Sequence, residues 1–194
     1  MSVLSVRQQA NRILKWYHLA TKEQVIQGLH WYNDAHALAV DLAHEYDVSV
    51  LQAAQVIANL SPQKQWETNK LEASAIFNQH FNGMAPSFGY FASQRVIAEC
   101  HCIMAGTWLI PSSRIKTYSF ADNIAYLSNS PEVTIDRHAL RVAYDDTSTK
   151  IDKVGINAYK YARQAYRRAA VSIGIEAFQL QAITWVTYKQ FVNR

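Results

Sequence analysis

The stretch Thr-Ile-Asp-Arg-His-Ala-Leu-Arg-Val, residues 134–142, gathers a carboxylate, an imidazole and two guanidinium groups in Asp136, His138, Arg137 and Arg141. Asp136 precedes an apolar run of Ala139, Leu140, Val142 and Ala143, so the spacing predicts that it lies at or within the first turn of a helix. There the unpaired backbone N–H groups and the positive end of the helix dipole favour the ionised acid. A permanently charged carboxylate can stabilise a cationic intermediate or accept a proton from water. The alternative is that Asp136 is only a good cap, and that His138 only satisfies a buried helix end.

The elements that must position these groups are helical nearly everywhere. Residues 33–47 offer Asn33 or Asp34 as a cap, followed by Leu38, Leu42 and Tyr46 at spacing four. Ser49 caps the next run, where Leu51, Ala54, Val56 and Ile57 are too closely set for strand alternation. Further helical patterns cover 64–81, 90–105, 114–127, 135–145, 157–173 and 176–192, with a Gly- and Pro-containing loop at 82–89. No strand and no internal repeat is predicted. The fold class is therefore all-α, with about eight to ten helices as the usual helix length dictates. The chain of 194 residues forms one domain, or two lobes with a cleft near residues 60–66 and 134–141. In the helix over 157–173, Tyr159, Ala162, Tyr166 and Ala169 share a face that packs, while Lys160, Arg163 and Arg167 share one that meets solvent or phosphate. The aromatic last helix, with Phe178, Trp185 and Tyr188, is expected to dock into the body.

Charge is uneven along the chain. Residues 150–194 carry eight basic against two acidic side chains, a net of +6, whereas the whole protein carries +4. A basic end on a near-neutral body suits a polyanion partner, and equally a solvated basic face. With only two cysteines, Cys100 and Cys102, a cluster held by four is excluded, and because the two point in different directions on a helix a disulfide between them is excluded as well. The first 20 residues lack the pattern of a secretory signal and no apolar run approaches a membrane span, so the expectation is a cytoplasmic monomer without membrane contact. Asp34 with His36 and Asp136 with His138 could suggest metal, but helical residues two apart point about 200° from each other. No metal and no cofactor are expected.

Two segments carry a resemblance. Val-Thr-Ile-Asp-Arg-His-Ala-Leu-Arg-Val-Ala-Tyr-Asp, residues 133–145, resembles the segment of the helix-hairpin-helix DNA glycosylase superfamily, the endonuclease-III-like enzymes, that reads hydrophobic-Asp-x-His-x-x-Arg-Val and carries their catalytic Asp. Residues 56–77 are similar to the family's early helix-loop-helix, matching at Ser61, Gln63, Asn69 and Lys70 with one residue fewer between loop and pair. The order agrees, with roughly 75 residues from loop to acid. Residues 109–127 fall where the family has its DNA-binding hairpin, but Ser112, Ser113 and Ile115 stand where it has glycines. Lys116 lies near the family's lyase lysine, 20 residues before Asp136; its other reading is a solvated lysine at a helix start. Short phage and bacterial proteins sharing Tyr-Asn-Asp-Ala-His-Ala-Leu-Ala, Leu-Ser-Pro-Gln and Ile-Asp-Arg-His-Ala are a further likeness that lends no activity.

The resemblance implies a DNA N-glycosylase that excises a damaged or modified base. Asp136 would stabilise an oxocarbenium-like sugar, with Lys116 a candidate for strand cleavage. Double-stranded DNA would be the partner, with one nucleotide flipped out and Gln63 plugging the gap. His138 and Arg141 would support the acid or meet the backbone, as Ser61 and Asn69 would on the loop side. Lys64, Lys160, Arg163 and Arg167 are candidate phosphate contacts, and Trp66 and Tyr32 candidate stacking platforms or core residues. Three rivals remain. One is a metal-dependent hydrolase. Another is a non-catalytic nucleic-acid-binding module or phage inhibitor on the same fold. The third directs N-glycosidic chemistry to a free or hypermodified nucleotide.

Overall fold

The computed structural model describes residues 4–84 and 89–192. Among them are nine α-helices and no strand: α1 Val6–His18, α2 Lys22–Tyr46, α3 Val50–Leu60, α4 Trp66–Asn82, α5 Gln94–Met104, α6 Ile115–Tyr126, α7 Arg137–Tyr144, α8 Ile156–Ile173 and α9 Ala177–Val192. The all-α expectation holds. The chain divides into two compact units, one formed by Met1–Asn33 with Pro131–Arg194 and the other by Asp34–Ser130. No single helix among the described residues is long and apolar enough to cross a membrane.

One expected boundary is corrected. Asn33 and Asp34 do not cap a helix but lie inside α2, which begins eleven residues earlier. The true start is Thr21, whose hydroxyl accepts from Gln24 N at 3.3 Å while Gln24 Oε1 accepts from Thr21 N at 2.9 Å. This reciprocal box satisfies two orphan donors, and the helix-favouring run that follows continues through two residues that prefer caps. The expected loop over 82–89 begins as foreseen, with Gly83 at φ 67° ending α4. Its residues 85–88 lie outside the described ones.

In the unit containing Asp136, α8 packs against α1, α7 and α9, and α7 in turn against α1 and α9. The α8 face predicted to pack is buried: Tyr159, Ala162, Ala165, Tyr166 and Ala169. Its alanines let neighbouring backbones approach, and its tyrosines fill the remaining space. α1 contributes Ala10, Ile13 and Trp16. The first half of α2 meets α9 through Gln24, Gly28 and Tyr32, one residue per turn of a single face. Tyr32 OH donates to Gln181 Oε1 at 3.1 Å, and a Cβ on Gly28 would come within 2.4 Å of Ile183 Cα. Glycine is required there for that close approach, not for turning.

In the second unit, α3 is the axis. Ala53 through Leu60 are all buried, and α4, α5 and α6 pack around them. Polar side chains tie the ring: Gln52 Nε2 donates to the carbonyls of Ile103 and Met104 at the end of α5, and Gln55 Oε1 accepts from Ile110 N at 3.0 Å. Ser49 caps α3 as expected, in a capping box with Gln52.

Candidate active site around Asp136

Asp136 is the N-cap of α7. Its Oδ1 accepts from Ala139 N at 2.7 Å, and its Oδ2 from the indole Nε1 of Trp185 at 3.1 Å. A carboxylate offers about four acceptor positions, so two remain for a substrate or water. The side chain is half-buried, neither sealed in the core nor loose in solvent.

Its placement follows from what leads into it. Val133, Thr134 and Ile135 are buried, and the Tyr159 hydroxyl clamps this segment by donating to Val133 O at 3.0 Å and accepting from Ile135 N at 3.3 Å. Beneath the first turn of α7, Tyr166 OH lies 3.3 Å from Ala139 O and 3.1 Å from Thr184 Oγ1. Burial pushes both the Tyr32 and Tyr166 phenols well above the usual tyrosine value, so each stays a neutral hydrogen-bonding group. The far end of α7 is held by α1: Arg12 donates to Tyr144 O, while Asp145, left-handed at φ 54°, accepts from Lys15 Nζ at 2.5 Å and Trp16 Nε1 at 2.9 Å. A short helix fixed at both ends keeps its cap carboxylate still.

His138 sits beside the acid, half-buried, its ring near-perpendicular to that of Trp185 at 6.4 Å between centroids and tilted against that of Tyr188 at 6.0 Å. Its Nδ1 is buried without a hydrogen-bond partner among the described residues. Burial holds its pKa below the usual 6.5; Asp136 pulls the other way, while Arg137, Arg141 and Lys189 push it further down. At neutral pH the imidazole is uncharged and the local field is set by one carboxylate among several cations.

Arg141 is buried and braces the following loop, donating to Ile151 O at 2.7 Å and Thr149 O at 2.9 Å. Asp146 closes the same loop by accepting from Ser148 N and Ile151 N. Of the expected phosphate contacts in this unit, Lys160 is exposed. Arg163 instead pairs with Glu132 at 2.7 Å and Arg167 donates to Pro131 O, so both steady the approach to Asp136. Tyr32 is core, not platform.

The remaining expected residues belong to the other unit. Ser61 ends α3 with its hydroxyl on Ala58 O at 2.9 Å, and Gln63 is exposed at φ 62°, a left-handed backbone uncommon for glutamine. Lys64 is not presented to solvent: it forms an ion pair with Glu72, with side chains 6% and 1% exposed, and Glu72 also accepts from Phe91 N at 2.6 Å. Asn69 is buried and donates to Ile57 O at 3.1 Å, a role in the fold. Trp66 opens α4, half-buried, and Lys70 pairs with Glu67. Ser112 and Ser113 are exposed in the turn before α6, and Lys116 is exposed in its first turn. Cys100 is buried and Cys102 exposed on α5, and burial pushes the Cys100 thiol up to about 12.

Sequence reasoning missed Trp185 as the second holder of Asp136, 49 residues away, and the two tyrosine hydroxyls that fix the approach. Periodicity assigns all three to packing faces; Tyr159 and Tyr166 are fully buried there, whereas Trp185 is half-buried, and in each the polar atom of the ring carries the added role. No curated protein and no solved structure matches the chain. Over residues 1–191 the sequence matches, and the chain belongs to, the family of unknown function DUF7178.

Proposed function

We propose that the protein is an N-glycosylase-like enzyme acting on a nucleotide of DNA, a divergent relative of the helix-hairpin-helix glycosylases, with Asp136 as its acid. The observation that carries this reading is a half-buried carboxylate held by two separate N–H donors while keeping acceptor capacity free. Breaking an N-glycosidic bond develops positive charge on the sugar. A fixed anion beside the anomeric carbon lowers that barrier without reorganising, and can draw the proton from an attacking water. The neutral His138 leaves Asp136 as the anion at the start of α7. What supports the family likeness is that α5 and α6 flank residues 105–114, with a turn at 111–114, where the sequence match puts the hairpin.

A second reading, the same chemistry on a free or hypermodified nucleotide, is favoured by the internal engagement of Lys64, Arg163 and Arg167. These cations are engaged by the protein's own acceptors, Lys64 in a buried pair and the two arginines at the surface, which weakens the grip on an extended phosphate backbone. The test is incubation with oligonucleotides bearing a panel of damaged and modified bases, and with the matching nucleotides. Released base is measured by chromatography and strand breaks before and after alkali, with Asp136→Asn alongside. Release that vanishes in the variant supports the proposal. Release that persists removes Asp136 from its role.

A further inference from the structure

Next to the Asp136 site, in the same unit, is an open pocket of about 370 Å³ lined by Gln27, Trp185, Val186, Lys189 and Gln190. No carboxylate lines it. Trp185 is shared: its N–H edge reaches Asp136, and its ring forms a wall of the pocket. Lys189 Nζ lies 4.2 Å from the centroid of that ring and has no acidic partner among the described residues. An ammonium resting on an indole face is weakly held, and a phosphate oxygen would draw it off and uncover the ring. Gln190 accepts from Gln24 Nε2 at 2.7 Å and donates to Gln27 Oε1 at 3.4 Å. This leaves the Gln27 amide N–H₂ as a donor at the rim, of the kind that reads the edge of a nucleobase. The volume is at the low end of the range for ligand pockets, about 300–1,000 Å³, and suits one nucleotide rather than a base pair.

We infer that this pocket is the subsite that seats a single nucleotide, its base on the Trp185 face, its phosphate on Lys189 Nζ and its sugar towards Asp136. In assigning the sugar to Asp136, the inference rests on the N-glycosidic reading. Its chemistry is shared by a free mononucleotide and by a nucleotide of a single strand.

The test is calorimetric titration of the full chain with four deoxynucleoside 5′-monophosphates, the matching deoxynucleosides, inorganic phosphate and short single-stranded oligonucleotides. At least one monophosphate should bind at least tenfold more tightly than its nucleoside and than phosphate alone. Lys189→Gln should reduce that preference to threefold or less, with an unchanged melting temperature. Trp185→Leu should abolish the preference over inorganic phosphate; if that variant does not fold, Lys189→Gln carries the test alone. Tighter binding of the oligonucleotide assigns the strand as the natural source, and tighter binding of the monophosphate the free nucleotide; both support the subsite. Equal affinity for nucleoside and monophosphate, full preference in Lys189→Gln, or no binding by any probe overturns it. Binding without base release would retain the subsite and sink the glycosylase reading. Release with an unchanged KM in Lys189→Gln would do the reverse.

Discussion

Asp136→Asn keeps the shape of the side chain but leaves one acceptor oxygen where the carboxylate has two. In the native protein both oxygens are used, one by Ala139 N and the other by the Trp185 indole N–H. Whichever way the amide turns, its NH₂ faces one of those donors. A hydrogen bond to a charged group contributes about 1.5–3 kcal/mol, and because this site is half-exposed, water recovers part, leaving an expected loss of about 1–2 kcal/mol. In Trp185→Phe the conflict disappears, since the single oxygen serves Ala139 N and Asn caps a helix about as well as Asp; there the same substitution costs at most about 0.5 kcal/mol. Urea unfolding of wild type, both single variants and the double variant gives the coupling directly. A cost for Asp136→Asn that is the same in both backgrounds, or below about 0.3 kcal/mol in the wild-type one, would refute the two-donor clamp.

Three further outcomes follow from the packing and the charges. Gly28→Ala places a methyl 2.4 Å from Ile183 Cα, a backbone atom that cannot step aside, and should cost about 3 kcal/mol; a melting temperature within a degree of wild type would contradict the close approach of α2 to α9. Lys64→Met leaves the Glu72 carboxylate buried without its cation and should cost about 3–5 kcal/mol in denaturant unfolding, against less than 1 if the pair is only decorative. His138, with a folded pKa held below 6.5, favours folding fully above that value; as pH falls below it the unfolded chain takes up the proton first and stability declines. Burial dominates this balance, with Asp136 opposing it and Arg137, Arg141 and Lys189 adding to it, and His138→Gln should flatten the acid limb of the stability curve measured between pH 5 and 7, a window set by the ordinary histidine titration.

Much of the scaffold was legible because it is written locally. Ser49 and Asp136 announce their caps within three residues, and the α8 stripe of tyrosine and alanine announces its buried face. Local signals failed at Asn33 and Asp34, where two good cap residues sit inside a helix that an earlier box at Thr21 had already begun. They also failed for charge. Arg163 and Lys64 read along the chain as candidate phosphate contacts, yet Glu132 and Glu72 come to them, one across 31 residues and the other across eight. The acid of the candidate site was visible in its motif, but its indole partner was not, because nothing near Trp185 distinguishes a ring that packs from one that also donates. Gly28 was not legible as a packing position, because the helical pattern is read only from residue 33, eleven residues inside the helix in which this glycine lets the α9 backbone come close.

The central claim is that the Asp136 carboxylate stabilises a developing sugar cation. Its most direct measurement is the single-turnover rate of base release from the best substrate of the panel, for wild type and for Asp136→Asn in the Trp185→Phe background, with each protein's folded fraction established first. Loss of one preorganised electrostatic group costs about 10²–10³ in rate, so a fall of that size against Trp185→Phe alone is expected. Equal rates in the two proteins would contradict the account.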